Sequence, residues 1–62
     1  MNLIVGKSYK LRIKIGDRIL TYTCKVLEID SDFITFEDKF GETHSFNRST
    51  VMSYSEVKDG KN

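Results

Sequence analysis

The stretch YKLRIKIGDRILTYTCK, Tyr9 to Lys25, decides the fold. From Tyr9 to Ile15 it alternates strictly between apolar residues (Tyr9, Leu11, Ile13, Ile15) and cations (Lys10, Arg12, Lys14). A period of two is that of a strand with one buried face, not of a helix. Gly16-Asp17 follows as a two-residue hairpin turn. Closing the chain there sets Ile13 opposite Leu20, Leu11 opposite Tyr22 and Tyr9 opposite Cys24. Directly opposed residues share a face, so these six form a core face. The other face pairs Lys14 with Ile19, Arg12 with Thr21, Lys10 with Thr23 and Ser8 with Lys25. Both strands agree on one register, which neither alone would specify.

A second hairpin is predicted at Ser31-Asp32, with Ile29 opposite Ile34 and Leu27 opposite Phe36. The inward set then switches parity between Val26 and Leu27, as a one-residue β-bulge would require. A third turn lies in KFGE, in a register that faces Phe36 with Phe46 and Asp38 with His44. NRST reads as a short 3-10 turn that delivers Val51, Met52 and Tyr54 to a fifth strand. Turn residues recur every eight to twelve positions and helical periodicity persists nowhere, the pattern of a small all-β domain. The expectation is a five-stranded SH3-like barrel with a bulged second strand. It occupies 1–57, followed by a polar tail at 58–62.

The segments GKSYKLRIKIGDRI and CKVLEIDSDFITFED resemble the first motif of the Sm/LSm superfamily, and FNRSTVMSY is similar to its second. The resemblance runs from Gly6 to Tyr54 and implies a small Sm-like barrel. Phe33 stands where the family has an RNA-contacting Asn, Asp30 is one position out of register, and Ser49 follows Arg48 where the family has Gly. The family's N-terminal helix has no counterpart. The resemblance therefore implies barrel shape rather than ring assembly or uridine binding, and fold alone does not give function.

With 62 residues, the chain has room for one domain and not for a catalytic domain beside a scaffold. So short a chain buries only about 60% of its unfolded surface, which favours tight packing or oligomerisation. A net charge of +1 argues against a chromatin-type protein that coats DNA by bulk charge. The charge is polarised, however. Residues 1–26 carry six bases against one acid, a balance of +5, and residues 27–62 carry eight acids against four bases, a balance of −4. Such halves can steer a partner or pair protomers head to tail, so a homo-oligomer is expected.

A single cysteine, Cys24, forms no internal disulfide and suits a reducing cytoplasm. There is neither a charged leader followed by an apolar run nor a long apolar stretch, so signal peptide, membrane span and membrane partner are not expected. Ala, Pro, Gln and Trp are absent while Ile, Lys, Phe and Asp abound. This composition resembles the imprint of an AT-rich coding sequence, as in low-GC bacteria and their phages.

The chemistry-bearing candidates are few. Lys10, Arg12, Lys14 and Lys25 form a cationic patch with Thr21 and Thr23 among them, a face suited to phosphates. The competing reading is the wet side of a strand, although a merely solvated strand more often interleaves Glu among its cations. Phe40, beside Gly41, is an aromatic at a turn that does not need one, and with Arg48 it is expected at the loop edge of a nucleic-acid site. Phe33 reads as a cap on the end of the barrel, and Tyr9, Tyr22 and Tyr54 read as core with hydroxyls at the rim.

His44 facing Asp38 has no nucleophile in register and no Gly-rich oxyanion loop, so it makes no catalytic site. One Cys with one His falls short of a zinc set, and EIDSD lacks the spacing of a calcium loop. No cofactor or metal is expected. The predicted function is a non-enzymatic binding module for RNA or DNA. The alternative is a protein-binding adaptor or inhibitor, of the kind a phage carries, acting as a small oligomer.

Overall fold

In the computed structural model, which describes residues 2–58, the first hairpin joins β1 (Ser8–Ile15) to β2 (Arg18–Ile29) across Gly16-Asp17. Every predicted pair from Ser8–Lys25 to Lys14–Ile19 is present. Gly16 has φ +62°, and among the described residues none other than glycine has positive φ. Positive φ at the first central position alone is the type II′ arrangement, whose twist matches that of the strands.

β3 (Phe33–Asp38) and β4 (Thr43–Asn47) follow. A three-residue 3-10 turn, η1 (Arg48–Thr50), then leads into β5 (Val51–Glu56). The five strands make one antiparallel sheet in the order β4-β3-β2-β1-β5. Of the tail expected at 58–62, residues 59–62 lie outside the described residues. Among the described residues no helix is long and apolar enough to cross a membrane.

The sheet cannot lie flat. In a flat sheet β4 and β5, at its two edges, would stand four strand spacings or about 19 Å apart. The three residues of η1 span only about 6 Å at a 3-10 rise, yet they join the end of one edge strand to the start of the other. Asn47 caps this turn, its Oδ1 accepting from the Ser49 backbone N–H and from the Ser49 hydroxyl.

Two bulges accompany the curl. Val26 opposes Phe36 and Glu28 opposes Thr35, so Leu27 is the extra residue on β2. On β5, Ser53 opposes Arg12 and Val51 opposes Ile13, leaving Met52 as the extra residue. Extra residues of this kind bend the strand and strengthen its twist. The parity switch therefore lies where the sequence puts it, but Leu27 does not face Phe36. It is 41% exposed, and Met52 is likewise exposed.

The third hairpin also corrects the prediction. Phe36 opposes His44 and Ile34 opposes Phe46, two residues away from the expected register. The cause is the loop. The Asp38 N–H donates to the Glu42 carbonyl and the Gly41 N–H to the Asp38 carbonyl. These bonds close a three-residue loop, Lys39-Phe40-Gly41, with Gly41 at φ +85°. The Asp38 and His44 side chains still meet, on a diagonal of the ladder.

The inward face holds Leu3, Tyr9, Leu11, Ile13, Cys24, Val26, Ile34 and Phe36, with Tyr22, Ile29, Phe46 and Val51 packed against it. Burying a large aliphatic or aromatic side chain contributes about 1.5–3 kcal/mol. Among the described residues no charged or amide side chain is buried, and no buried side-chain nitrogen or oxygen lacks a hydrogen-bond partner. Tyr9 is core, and its hydroxyl accepts from the Ile4 N–H at the rim. Tyr54 is 39% exposed and meets Tyr9 edge-on, its hydroxyl accepting from the Asn2 N–H.

Candidate nucleic-acid interface

The outward face of β1 is built by register. Lys10 lies between Thr23 of β2 and Ser55 of β5, and Arg12 between Thr21 and Ser53. Paired residues share a face, so two cations stand in a row with a hydroxyl-bearing residue on each side. Lys14 extends the row beside Ile19. All three cations are exposed, and among the described residues none of them forms an ion pair. Alternate residues of a strand repeat at about 6.6 Å, a spacing that lets successive cations meet successive phosphates.

Lys25 shares this face but is differently placed. Its partners are Ser8 and Glu37, so an acid stands next to it. It lines a shallow open cleft of about 190 Å³ together with Ser8, Thr23, Glu37 and Lys39. Lys7, immediately before β1, is already engaged with Glu56 at 3.4 Å.

Phe40 is the most exposed large apolar residue of those described, at 80%. Its backbone N–H is held by Asp38 Oδ1 at 2.9 Å, which fixes the loop under it. The Lys39 Nζ lies 5.4 Å from the ring centroid, a cation over an aromatic face. Lys39 thus joins Phe40 to the cleft that Lys25 lines.

Arg48 is not beside Phe40. The two residues flank opposite ends of β4. The Arg48 guanidinium donates to the Asp30 carbonyl at 2.9 Å, and its backbone N–H donates to the Asp32 carbonyl. Arg48 thereby pins η1 to the β2–β3 turn. That turn is itself closed by Asp30, whose Oδ1 accepts from the Phe33 and Asp32 N–H groups. Those two bonds hold the Asp30 carboxyl below its ordinary pKa, with a small contribution from Arg48. Phe33 is 47% exposed beside this turn.

His44 belongs to an aromatic group on the inner face, 4.9 Å from the Tyr22 ring and 5.4 Å from that of Phe36. Its Nε2 lies 2.8 Å from Asp38 Oδ2. That bond, then the N–H groups of Glu42 and Phe40, lower the Asp38 pKa. Cys24 opposes Asp38, and burial together with that carboxylate raises its thiol pKa to about 11.

Ser53 and Ser55 were not among the sequence candidates. Their signal is the alternation S-Y-S within VMSYSE, which places both on one face once β5 pairs with β1. No protein-family model, curated protein or solved structure matches this chain.

Proposed function

We propose that this protein is a non-enzymatic nucleic-acid-binding module whose curled sheet closes as an SH3-like barrel of Sm-like type. What supports closure is the three-residue link between the two edge strands and the bulges on β2 and β5. The observation that carries the function is the register of Lys10 and Arg12 between Thr21, Thr23, Ser53 and Ser55. Cations supply attraction to phosphates, and hydroxyls add hydrogen bonds that position the backbone without reading sequence. Lys14 and Lys25 extend the patch, and Phe40 offers an exposed ring for stacking a base. Arg48 supports the site by holding η1.

The test is a salt titration of labelled single-stranded RNA and DNA against the parent and a Lys10→Glu, Arg12→Glu, Lys14→Glu variant. Affinity of the parent should fall steeply with salt, about one counterion being released per phosphate contact. The variant should fold and fail to bind. A parent that binds neither oligonucleotide at low salt overturns the proposal.

The competing reading is a protein-binding adaptor. It is favoured by the two edge strands, β4 and β5, which can accept a partner's strand, and by exposed Met52 and Tyr54 on β5. Capture of a protein that survives nuclease treatment, together with absence of oligonucleotide binding, would decide for it. In either reading the oppositely charged halves favour a homo-oligomer, which sedimentation at several salt concentrations measures.

A further inference from the structure

The β3–β4 loop brings together three potential metal ligands of two chemical kinds. Asp38, Glu42 and His44 each offer one ligand atom, and the three atoms lie within 4.8 Å of one another. Two of the three are already oriented. Asp38 Oδ1 accepts from the N–H groups of Phe40 and Glu42, both at 2.9 Å, which turns Oδ2 toward His44. The His44 ring packs against both Tyr22 and Phe36, which restrains the direction of Nε2. Such outer contacts are what orient the ligands of a metal site.

We infer that Asp38 Oδ2, His44 Nε2 and a Glu42 carboxylate oxygen form a site for a divalent transition-metal ion of the Zn²⁺ class. Carboxylates and imidazole both ligate such ions at about 2.0–2.2 Å, and at a tetrahedral angle two such ligands stand about 3.4 Å apart. The observed 2.8 Å between Oδ2 and Nε2 must open by only about 0.6 Å to reach that separation. The ion would take the place of the proton now shared by the pair. The imidazole favours zinc, cobalt, nickel or copper over magnesium or calcium, which prefer oxygen alone. Three protein ligands leave a fourth position for water or an exogenous anion. Counting only Cys and His overlooks the site, because two of its donors are carboxylates and one, Glu42, lies across the loop from Asp38.

The experiment titrates the full chain with Zn²⁺ and, for its visible spectrum, Co²⁺. Zn²⁺ should shift the backbone amide resonances of 38–44 and raise the melting temperature, since an ion that binds only the folded state stabilises it. Co²⁺ should give ligand-field bands that Zn²⁺ abolishes. His44→Gln keeps an amide able to donate to Asp38, and Glu42→Gln touches only an exposed side chain, so both should fold. Each should weaken Zn²⁺ binding by about tenfold or more. The inference is overturned if millimolar Zn²⁺ leaves those resonances unmoved, or if His44→Gln binds Zn²⁺ as tightly as the parent. Binding of Mg²⁺ as tight as that of Zn²⁺ also overturns it.

Discussion

Val26 and Leu27 are adjacent in the chain, yet Val26 is fully buried against Phe36 while Leu27 is the bulge residue, 41% exposed. Their truncations should therefore differ. Val26→Ala leaves a cavity under the sheet and should cost about 2 kcal/mol. Leu27→Ala removes a half-solvated side chain outside the ladder and should lie within about 0.5 kcal/mol of the parent. Urea denaturation of both variants measures this. Equal losses would mean that Leu27 packs inward.

Acid should weaken the fold through Asp38. A carboxyl whose folded-state pKa lies below its unfolded value stabilises the fold above the unfolded value, and that stabilisation is lost as pH falls through the folded value. Asp38 is such a group, held down by His44 and two backbone N–H groups, and Asp30 is another. Asp38→Asn should be less stable than the parent at neutral pH. The gap should narrow from about pH 4 downward, where the unfolded-state carboxyl takes up its proton. Denaturation curves at several pH values for the two proteins provide the comparison. A gap of constant size at every pH would mean that Asp38 acts through its shape and not its charge.

The legible parts of the sequence were those where two strands imposed the same pattern. The β1–β2 register followed from alternation on both sides of a two-residue turn, and a slip of one residue would have exposed Leu11 and Ile13. The β3–β4 register was not fixed in this way. Phe36, His44 and Phe46 are all rings on one inner face, so sliding by two residues exchanges one ring for another and preserves parity. What selected the register was the Asp38 carboxylate accepting from two N–H groups of its own loop, a local bond that periodicity does not encode. Leu27 was misplaced for a related reason. A change of parity reveals that a bulge exists, but not which of the neighbouring apolar residues is extruded. The candidate site was legible as a row of cations on β1. Its Ser53 and Ser55 flank required the pairing of β1 with β5, the longest-range contact in the sheet.

Cys24 should be chemically silent in the folded protein. It is 4% exposed, and burial beside Asp38 raises its pKa to about 11, so the reactive thiolate is scarce at neutral pH. A disulfide reagent at pH 8 should react with Cys24 slowly in buffer and rapidly in denaturant. Comparable rates in the two solvents would show that β2 opens readily beside Asp38.

Phe40 separates stacking from charge. Its ring is 80% exposed and its loop is held by backbone bonds to Asp38, so Phe40→Ala should leave stability within about 0.5 kcal/mol of the parent. Base stacking on an aromatic side chain contributes about 1–3 kcal/mol, and the variant should lose an amount of that order in affinity for a single strand. The slope of affinity against salt should stay unchanged, because stacking releases no counterion from a phosphate. Lys10→Glu should do the reverse and flatten the slope, because it removes an ionic contact. Fluorescence anisotropy at several salt concentrations gives both quantities in one experiment. A Phe40→Ala variant with the parent's affinity would remove the loop from the interface and leave only the outward face of β1. A variant that flattened the slope as Lys10→Glu does would instead assign the ionic contact to Lys39, which lies over the ring in the parent and would be displaced when the ring is removed.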